Sequence, residues 1–179
     1  MTVKNFQSLI EKKIREISDF PKEGIAYKDI TPLLQCPSTS SIVIDAFAQH
    51  LSQLKVDAIL GIESRGFLFG MMLANRMNVP FIPVRKAGKL PYHTVAKKYE
   101  LEYGTATIEI HSDAIKKGWH VVVHDDLLAT GGTANAAAEL VKQLGGNVSA
   151  FLFLIELTYL FGRERIKNNA DTIVSLIKY

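Results

Sequence analysis

Apolar residues recur at helical spacing through the start of the chain: Val3, Phe6, Leu9, Ile10, Ile14 and Ile17 share one face. Glu11, Lys12, Lys13, Arg15 and Glu16 lie largely opposite, so the pattern predicts one helix over this span. Phe20-Pro21-Lys22-Glu23-Gly24 ends it, and Ile30-Thr31-Pro32 prevents a long helix from restarting there. A second amphipathic helix is predicted from Ile42, Val43, Ala46, Phe47, His50, Leu51 and Leu54, with His50 partly buried on or near the apolar side. From residue 58 the pattern becomes a β–α rhythm. Ala58–Ile62, Val79–Val84, Val121–Asp125, Val148–Glu156 and Thr172–Ile177 read as strands. Gly66–Met77 and the alanine-rich Thr133–Leu144 read as helices, the latter stopped by Gly145-Gly146. Strands alternating with helices predict an α/β fold with a mostly parallel twisted sheet flanked by helices.

Residues 85–104 interrupt that rhythm. Arg85-Lys86-Ala87-Gly88-Lys89-Leu90-Pro91 and a polar stretch to Lys98 read as a long loop. Tyr99–Tyr103 and Thr105–Ile110 then alternate like a hairpin around Gly104. A loop of this length is either a surface excursion or a lid, and the cations Arg85, Lys86 and Lys89 favour the lid or anion-site reading.

No repeat, low-complexity tract or linker divides the 179 residues, so one domain is expected. The net charge of +3 comes without a dense Lys/Arg tract, which argues against nucleic acid and suits small anionic substrates. Cys36 is the single cysteine, so no internal disulfide forms, and a reducing compartment fits. No residue nearby is identifiable as a base to activate it. The first twenty residues are charged and amphipathic rather than continuously apolar, and no apolar run is long enough for a bilayer. A cytoplasmic location without membrane association is the expectation.

Two strand-to-helix loops carry the candidate chemistry. In the first, the apolar run Val121-Val122-Val123 leads through His124 to Asp125 and Asp126, then to a small-residue loop, Ala129-Thr130-Gly131-Gly132-Thr133, where a helix opens. Glycines let backbone N–H groups approach a phosphate, and a helix start adds partial positive charge. Adjacent carboxylates suit sugar hydroxyls or a bound cation, so a phosphate and a polyol fit side by side. The second loop is Gly61-Ile62-Glu63-Ser64-Arg65-Gly66, where Arg65 offers a planar, permanent cation to phosphate oxygens or to a surface ion pair. Gly61 and Gly66 have P-loop spacing, but Phe67 and Leu68 stand where Lys and Ser/Thr belong; no G-x-G-x-x-G follows a strand. His and Cys residues show no metal-ligand spacing.

Residues 121–133 resemble the phosphoribosyl-pyrophosphate signature of type I phosphoribosyltransferases. Glu63 through Gly70, Arg85 through Pro91, Leu101-Glu102-Tyr103-Gly104, and Phe20-Pro21 through Asp29-Ile30-Thr31-Pro32 resemble the adenine phosphoribosyltransferases, in order and over nearly the whole chain. The chain departs from that family at His124, where the signature is usually apolar, and at Lys28, where the family has arginine. His124 is then either a buried neutral imidazole or a pH-sensitive neighbour of the acids.

The resemblance implies a small amino-terminal hood (residues 1–34), a lid loop and hairpin (85–110), and a homodimer. It implies transfer of the phosphoribosyl group of phosphoribosyl pyrophosphate to adenine, giving AMP and pyrophosphate through an oxocarbenium-like transition state. On that reading Ala129, Thr130, Gly131, Gly132 and Thr133 cradle the 5′-phosphate, and Asp125 and Asp126 orient the ribose hydroxyls. Arg65, with the Glu63-Ser64 backbone, meets pyrophosphate, and a non-proline cis peptide is expected between Glu63 and Ser64. Lys86 and Lys89 add charge when the lid closes. Glu102 is the candidate general acid/base at the purine, and Tyr103 packs or hydrogen-bonds beside it. Ile25, Ala26 and Lys28 read the adenine edge through main-chain groups, and Leu127 helps sandwich the ring. Mg²⁺ is the implied cofactor, arriving mainly on the diphosphate rather than on a protein ligand set. A 6-oxopurine transferase is the competing enzyme. A metabolite-sensing regulator that binds nucleic acid is the competing non-enzyme, and the hood, lid and modest charge argue against both.

Overall fold

The central architecture is a seven-stranded sheet in the order β5-β6-β4-β3-β7-β8-β9. The computed structural model describes the backbone of residues 3–100 and 104–179, and these divide into two compact units, 1–46 and 47–179.

In the first unit, α1 (Val3–Glu11) is followed by β1 (Arg15–Ile17), which pairs antiparallel with β2 (Tyr27–Asp29). The single helix expected to reach Ile17 is thus corrected: it stops at Glu11, and the later residues find a strand partner that periodicity alone cannot reveal. α2 (Thr31–Leu34) is a four-residue turn with Pro32 near its start, and α3 (Pro37–Leu51) follows. His50 is exposed, contrary to expectation. The buried positions Val43, Phe47 and Leu51 repeat every four residues and leave His50 on the flank.

The second unit begins its sheet with β3 (Ala58–Ile62), buried at every position, and continues through α4 (Gly66–Met77) to β4 (Phe81–Lys86). Asn78 closes α4 in the left-handed conformation at φ 56°. β3 lies parallel to β4 and to β7 (His120–Leu128); β8 (Asn147–Glu156) and β9 (Thr172–Lys178) extend the parallel sheet beyond β7. α5 (Gly132–Gln143) packs its alanines into the core with Val121 and Val123. A 3₁₀ turn (Thr158–Leu160) and α6 (Gly162–Ile166) join β8 to β9.

The expected α/β class and mostly parallel sheet are borne out. The interruption differs from its sequence reading. β5 (Thr94–Glu100) and β6 (Thr105–His111) pair antiparallel over seven residues, and β6 joins the sheet edge at β4. Most of the polar stretch read as a loop is therefore a strand. Its burial alternates: Val95, Lys97 and Tyr99 are half-buried, while Ala96, Lys98 and Glu100 are exposed. That period-two signal was hidden because one of its inward residues is a lysine. Glu102 and Tyr103 lie outside the described residues.

Candidate active site

β7 runs five residues past the point where its apolar stretch ends at Val123, and this decides how the acids are used. Along a strand, successive side chains point to opposite faces. Asp125 and Leu127 accordingly face a small cavity of about 70 Å³ whose other walls are residues 128–134. His124 and Asp126 face α4. Asp126 Oδ2 lies 2.9 Å from Arg65 Nε, with Asp126 side-chain exposure of 5%. The two acids read as one ribose-binding pair stay side by side: Asp125 lines the cavity, Asp126 pairs with Arg65, and their carboxyl groups lie within hydrogen-bonding reach of each other. The backbone ties them as well, because Asp126 N–H donates to Asp125 Oδ1 at 2.9 Å. Burial raises the proton affinity of Asp125, and the neighbouring Asp126 charge raises it further while Arg65 opposes the rise. Burial likewise raises that of Asp126, again opposed by Arg65. Arg65 therefore offsets part of the cost of placing negative charge on this pair in a poorly solvated place.

The phosphate-type loop is built by close backbone approach. Gly131 caps α5 at φ 77°, and the first N–H groups of the helix have no partner within it. Its underside rests on α6. A Cβ at Gly162 would stand 2.1 Å from the Ala129 carbonyl oxygen, and one at Gly131 would stand 2.5 Å from the Gly162 carbonyl oxygen. α6 is in turn anchored by Arg163, which makes a two-pronged pair with the buried Glu156 at 3.0 and 2.7 Å. It also donates to the Ile173 carbonyl at 3.0 Å. Sequence reading missed Gly162. A signal was present, since Glu156 ends an apolar strand and a buried acid there requires a cation nearby.

The loop 63–66 opens α4 directly against β7. Gly66 has no room for a side chain, because a Cβ would stand 2.9 Å from both Asp125 Oδ1 and the His124 carbonyl oxygen. The peptide between Glu63 and Ser64 is cis, where one was expected. Ser64 is exposed. The Glu63 side chain faces the cationic segment: it accepts from Lys89 Nζ at 2.8 Å, from the Lys86 N–H at 2.9 Å and from Arg85 at 3.1 Å. Burial alone would raise the Glu63 carboxyl; these three donors outweigh it and lower the pKa to about 2. Lys89 is further tied by its backbone N–H to Glu109, a buried acid that also receives the Leu90 N–H, each at 3.0 Å. Lys89 is therefore engaged on its own chain in this geometry, whereas Lys86 is exposed.

His124 is explained by its surroundings. The ring is fully buried, stands edge-on to Phe47 with centroids 5.3 Å apart, and meets α4 where Gly70 leaves space. Nδ1 donates to the Leu152 carbonyl at 3.0 Å, which fixes the tautomer, and Nε2 has no hydrogen-bond partner. Burial lowers the pKa to about 4, with the Leu152 bond acting weakly against it. It is a neutral structural imidazole. Because the unfolded chain binds the proton near pH 6.5 and the folded one only near 4, stability falls as pH drops through that window. The loss is about 1.4 kcal/mol per pH unit, totalling roughly 3 kcal/mol. Urea unfolding of wild type and His124→Leu across pH 4–7 is expected to show a stability difference that shifts in favour of the variant by that amount as pH falls. A pH-independent difference would refute the neutral-histidine assignment.

In the first unit, Lys28 is buried, lies in β2 and pairs with Glu16 across the ribbon. Ile25 is exposed, but its main chain is in use: its N–H donates to the Lys22 carbonyl and its carbonyl accepts from Phe20, each at 3.2 Å. Ala26 is exposed.

Among the described residues no three His, Cys, Asp or Glu side chains gather into a metal cage, and no helix is long and apolar enough to cross a membrane. The Asp125 carboxylate is an oxygen donor on the cavity wall, of the hard kind that suits a divalent cation.

The phosphoribosyl transferase domain family matches residues 29–174. An adenine phosphoribosyltransferase of Christiangramia forsetii is 50% identical over 95% of this chain and 98% of its own. A crystal structure of adenine phosphoribosyltransferase from Thermoanaerobacter pseudethanolicus superposes with a TM-score of 0.93 at 51% identity, covering 97% of this chain and 99% of that one. The Saccharomyces cerevisiae adenine phosphoribosyltransferase was solved with D-2,5-dideoxy-2,5-imino-altritol 1,6-bisphosphate and adenine. It matches with a TM-score of 0.91 at 42% identity, over 97% of this chain and 99% of its own.

Proposed function

Since this chain belongs to the phosphoribosyl transferase domain family, we propose that it transfers the 5-phosphoribosyl group of phosphoribosyl pyrophosphate to adenine, releasing pyrophosphate and forming AMP. The observation that carries the phosphoribosyl half is the loop 129–133, closed onto Gly162 with Asp125 on the cavity wall. Adenine as acceptor rests on the similarity to adenine phosphoribosyltransferases along almost the full chain.

The chemistry asks three things of the protein: neutralising a departing pyrophosphate, holding an electron-poor sugar, and handling a purine proton. The N–H groups of Ala129–Thr133 and the Thr130 and Thr133 hydroxyls take the 5′-phosphate. Asp125 and Asp126 orient the ribose hydroxyls, and Arg65, paired with Asp126, adds its charge at the leaving group together with the Glu63-Ser64 backbone. Lys86 adds charge there; Lys89 does so only by leaving Glu63. Mg²⁺ brought with the substrate would supply further neutralisation there, with the Asp125 carboxylate as a protein oxygen donor. Glu102 exchanges the purine proton and Tyr103 supports it. Ile25, Ala26, Lys28 and Leu127 recognise adenine, the first three through main-chain groups. The protein works as a cytoplasmic homodimer, with residues 1–34 as hood and 85–110 as lid.

Polar recognition of a 6-amino group leaves a 6-oxo group facing the wrong partner, which discriminates by about 10⁴ or more. Pyrophosphate release measured with adenine, hypoxanthine and guanine is expected to show that preference for adenine. Equal or better catalytic efficiency with either 6-oxopurine would overturn the choice of base. Absence of turnover with all three, together with tight salt-sensitive binding of nucleic acid, would favour a regulator.

A further inference from the structure

The hairpin strand β5 is docked on α5 at two points. Lys97 pairs with Glu139, and one turn of side-chain alternation further on, the Thr133 hydroxyl donates to the Tyr99 phenol at 3.1 Å. Lys97 and Tyr99 are on the same, inward face of the strand. The strand end also closes over the loop, because a Cβ at Gly132 would stand 3.2 Å from the Glu100 carbonyl oxygen. Thr133 is thus both a wall of the phosphate-sized cavity and the partner of a phenol on another element.

We propose that Tyr99 is a positioning residue for the 5′-phosphate subsite, setting the Thr133 hydroxyl and linking its state to the β5–β6 hairpin. The proposal rests on the phosphoribosyl-transfer reading of the loop. A threonine hydroxyl has a single proton to donate and lone pairs to accept with. In the structure that proton goes to the Tyr99 oxygen. A phosphate oxygen accepts but cannot donate, so on binding the Thr133 proton turns to the phosphate. The Tyr99 O–H then donates to the Thr133 oxygen. A phenol can make this reversal and a phenyl ring cannot. Tyr99 therefore keeps the half-buried hydroxyl bonded in both states and favours the orientation in which it serves the anion. Lys97 holds the same strand to the same helix without reaching Thr133, which separates general docking from hydroxyl positioning.

Tyr99→Phe removes one oxygen from a partly buried ring, and thermal melting checks that the variant folds. Binding of ribose 5-phosphate and of inorganic pyrophosphate to the full chain, measured separately by calorimetry, is expected to split. The variant binds ribose 5-phosphate about 3- to 10-fold more weakly, the value of one hydrogen bond, and pyrophosphate unchanged. The KM for phosphoribosyl pyrophosphate rises similarly, while kcat and the KM for adenine stay within about twofold of wild type. In a Thr133→Val background Tyr99→Phe adds no further loss, and Lys97→Met leaves ribose 5-phosphate affinity at the wild-type value. Unchanged affinity in Tyr99→Phe, equal weakening of both ligands, an undiminished effect without the Thr133 hydroxyl, or an equal loss in Lys97→Met overturns the proposal. Wild-type protein that binds neither ribose 5-phosphate nor phosphoribosyl pyrophosphate overturns the functional reading itself.

Discussion

Gly162→Val is expected to lower kcat/KM for phosphoribosyl pyrophosphate by about 10²–10³-fold, although residue 162 carries no side chain and sits beneath the loop rather than in the cavity. The reason is contact with main chain on two sides. A Cβ would stand 2.1 Å from the Ala129 carbonyl oxygen and 2.9 Å from the Gly131 nitrogen. Neither atom can rotate away as a side-chain end would, so the loop must lift or α6 must retreat. Retreat of α6 is opposed by Arg163, whose pair with Glu156 and bond to the Ile173 carbonyl fix it to β8 and β9. The loop therefore moves, and a displacement of about 1 Å at a reacting group costs about a hundredfold. Phe161→Asn is the control next door. Phe161 is 72% exposed and adopts a left-handed backbone at φ 53°, which asparagine accepts, so activity is expected to stay within about twofold. Steady-state kinetics of both folded variants decide the matter; full activity in Gly162→Val would show that the loop does not depend on this approach.

Arg65→Ala is the second large effect, and it reaches both stability and pH dependence. Arg65 stands 2.9 Å from an Asp126 carboxylate that is 5% exposed, beside a second acid whose proton affinity burial and Asp126 already raise. Removing the guanidinium leaves two adjacent acids without their counter-charge. Breaking a fully buried pair costs about 3–5 kcal/mol. Because Arg65 is itself 28% exposed, water screens part of this, and about 2 kcal/mol is the expected loss. The sign of the pH effect follows from the same charges. Arg65 holds the proton affinities of both acids down; without it they rise, so the ionised pair appears only at higher pH. The acid limb of the kcat/KM profile is expected to move upward in pH, with kcat/KM falling by about 10²–10³ near neutrality. In Arg65→Ala/Asp126→Asn one buried charge is gone, so stability is expected to recover while activity does not. Denaturation curves and pH–rate profiles of the three proteins test this. A double variant no more stable than Arg65→Ala would mean that Asp126 is not the charge Arg65 compensates.

Which parts of this architecture were legible in advance follows from where the stabilising partner lies. The strand at 58–62 and the helix at 66–77 have the same limits in sequence reading and structure, and α5 and β8 each begin one residue earlier than read. These segments are apolar and buried, or alanine-rich and bounded by glycine, so their own residues carry the signal. The misread segments depend on something distant. Ile14–Ile17 fits a helix by spacing, yet Arg15–Ile17 pairs with Tyr27–Asp29. Thr94–Glu100 looks like polar loop, yet it becomes a strand by pairing with β6 and laying Lys97 and Tyr99 on α5. β7 continues through both acids because Asp126 finds a cation and Asp125 borders a cavity, which no local count of apolar residues could register.

The sequence alone determined the class of fold and the presence of a small-residue loop behind two acids at the start of a helix, because short-range spacing dictates both. It also placed an arginine loop and a cationic segment after neighbouring strands. The tertiary structure decided how those groups are shared. Asp125 comes to border the cavity and Asp126 to pair with Arg65. Glu63 draws in Lys89 and Arg85, Gly162 supports the phosphate loop from below, and Tyr99 takes the Thr133 hydroxyl. Each of these depends on a distance between residues far apart in the chain, and a buried charge or hydroxyl takes whichever partner the packed fold brings within about 3 Å.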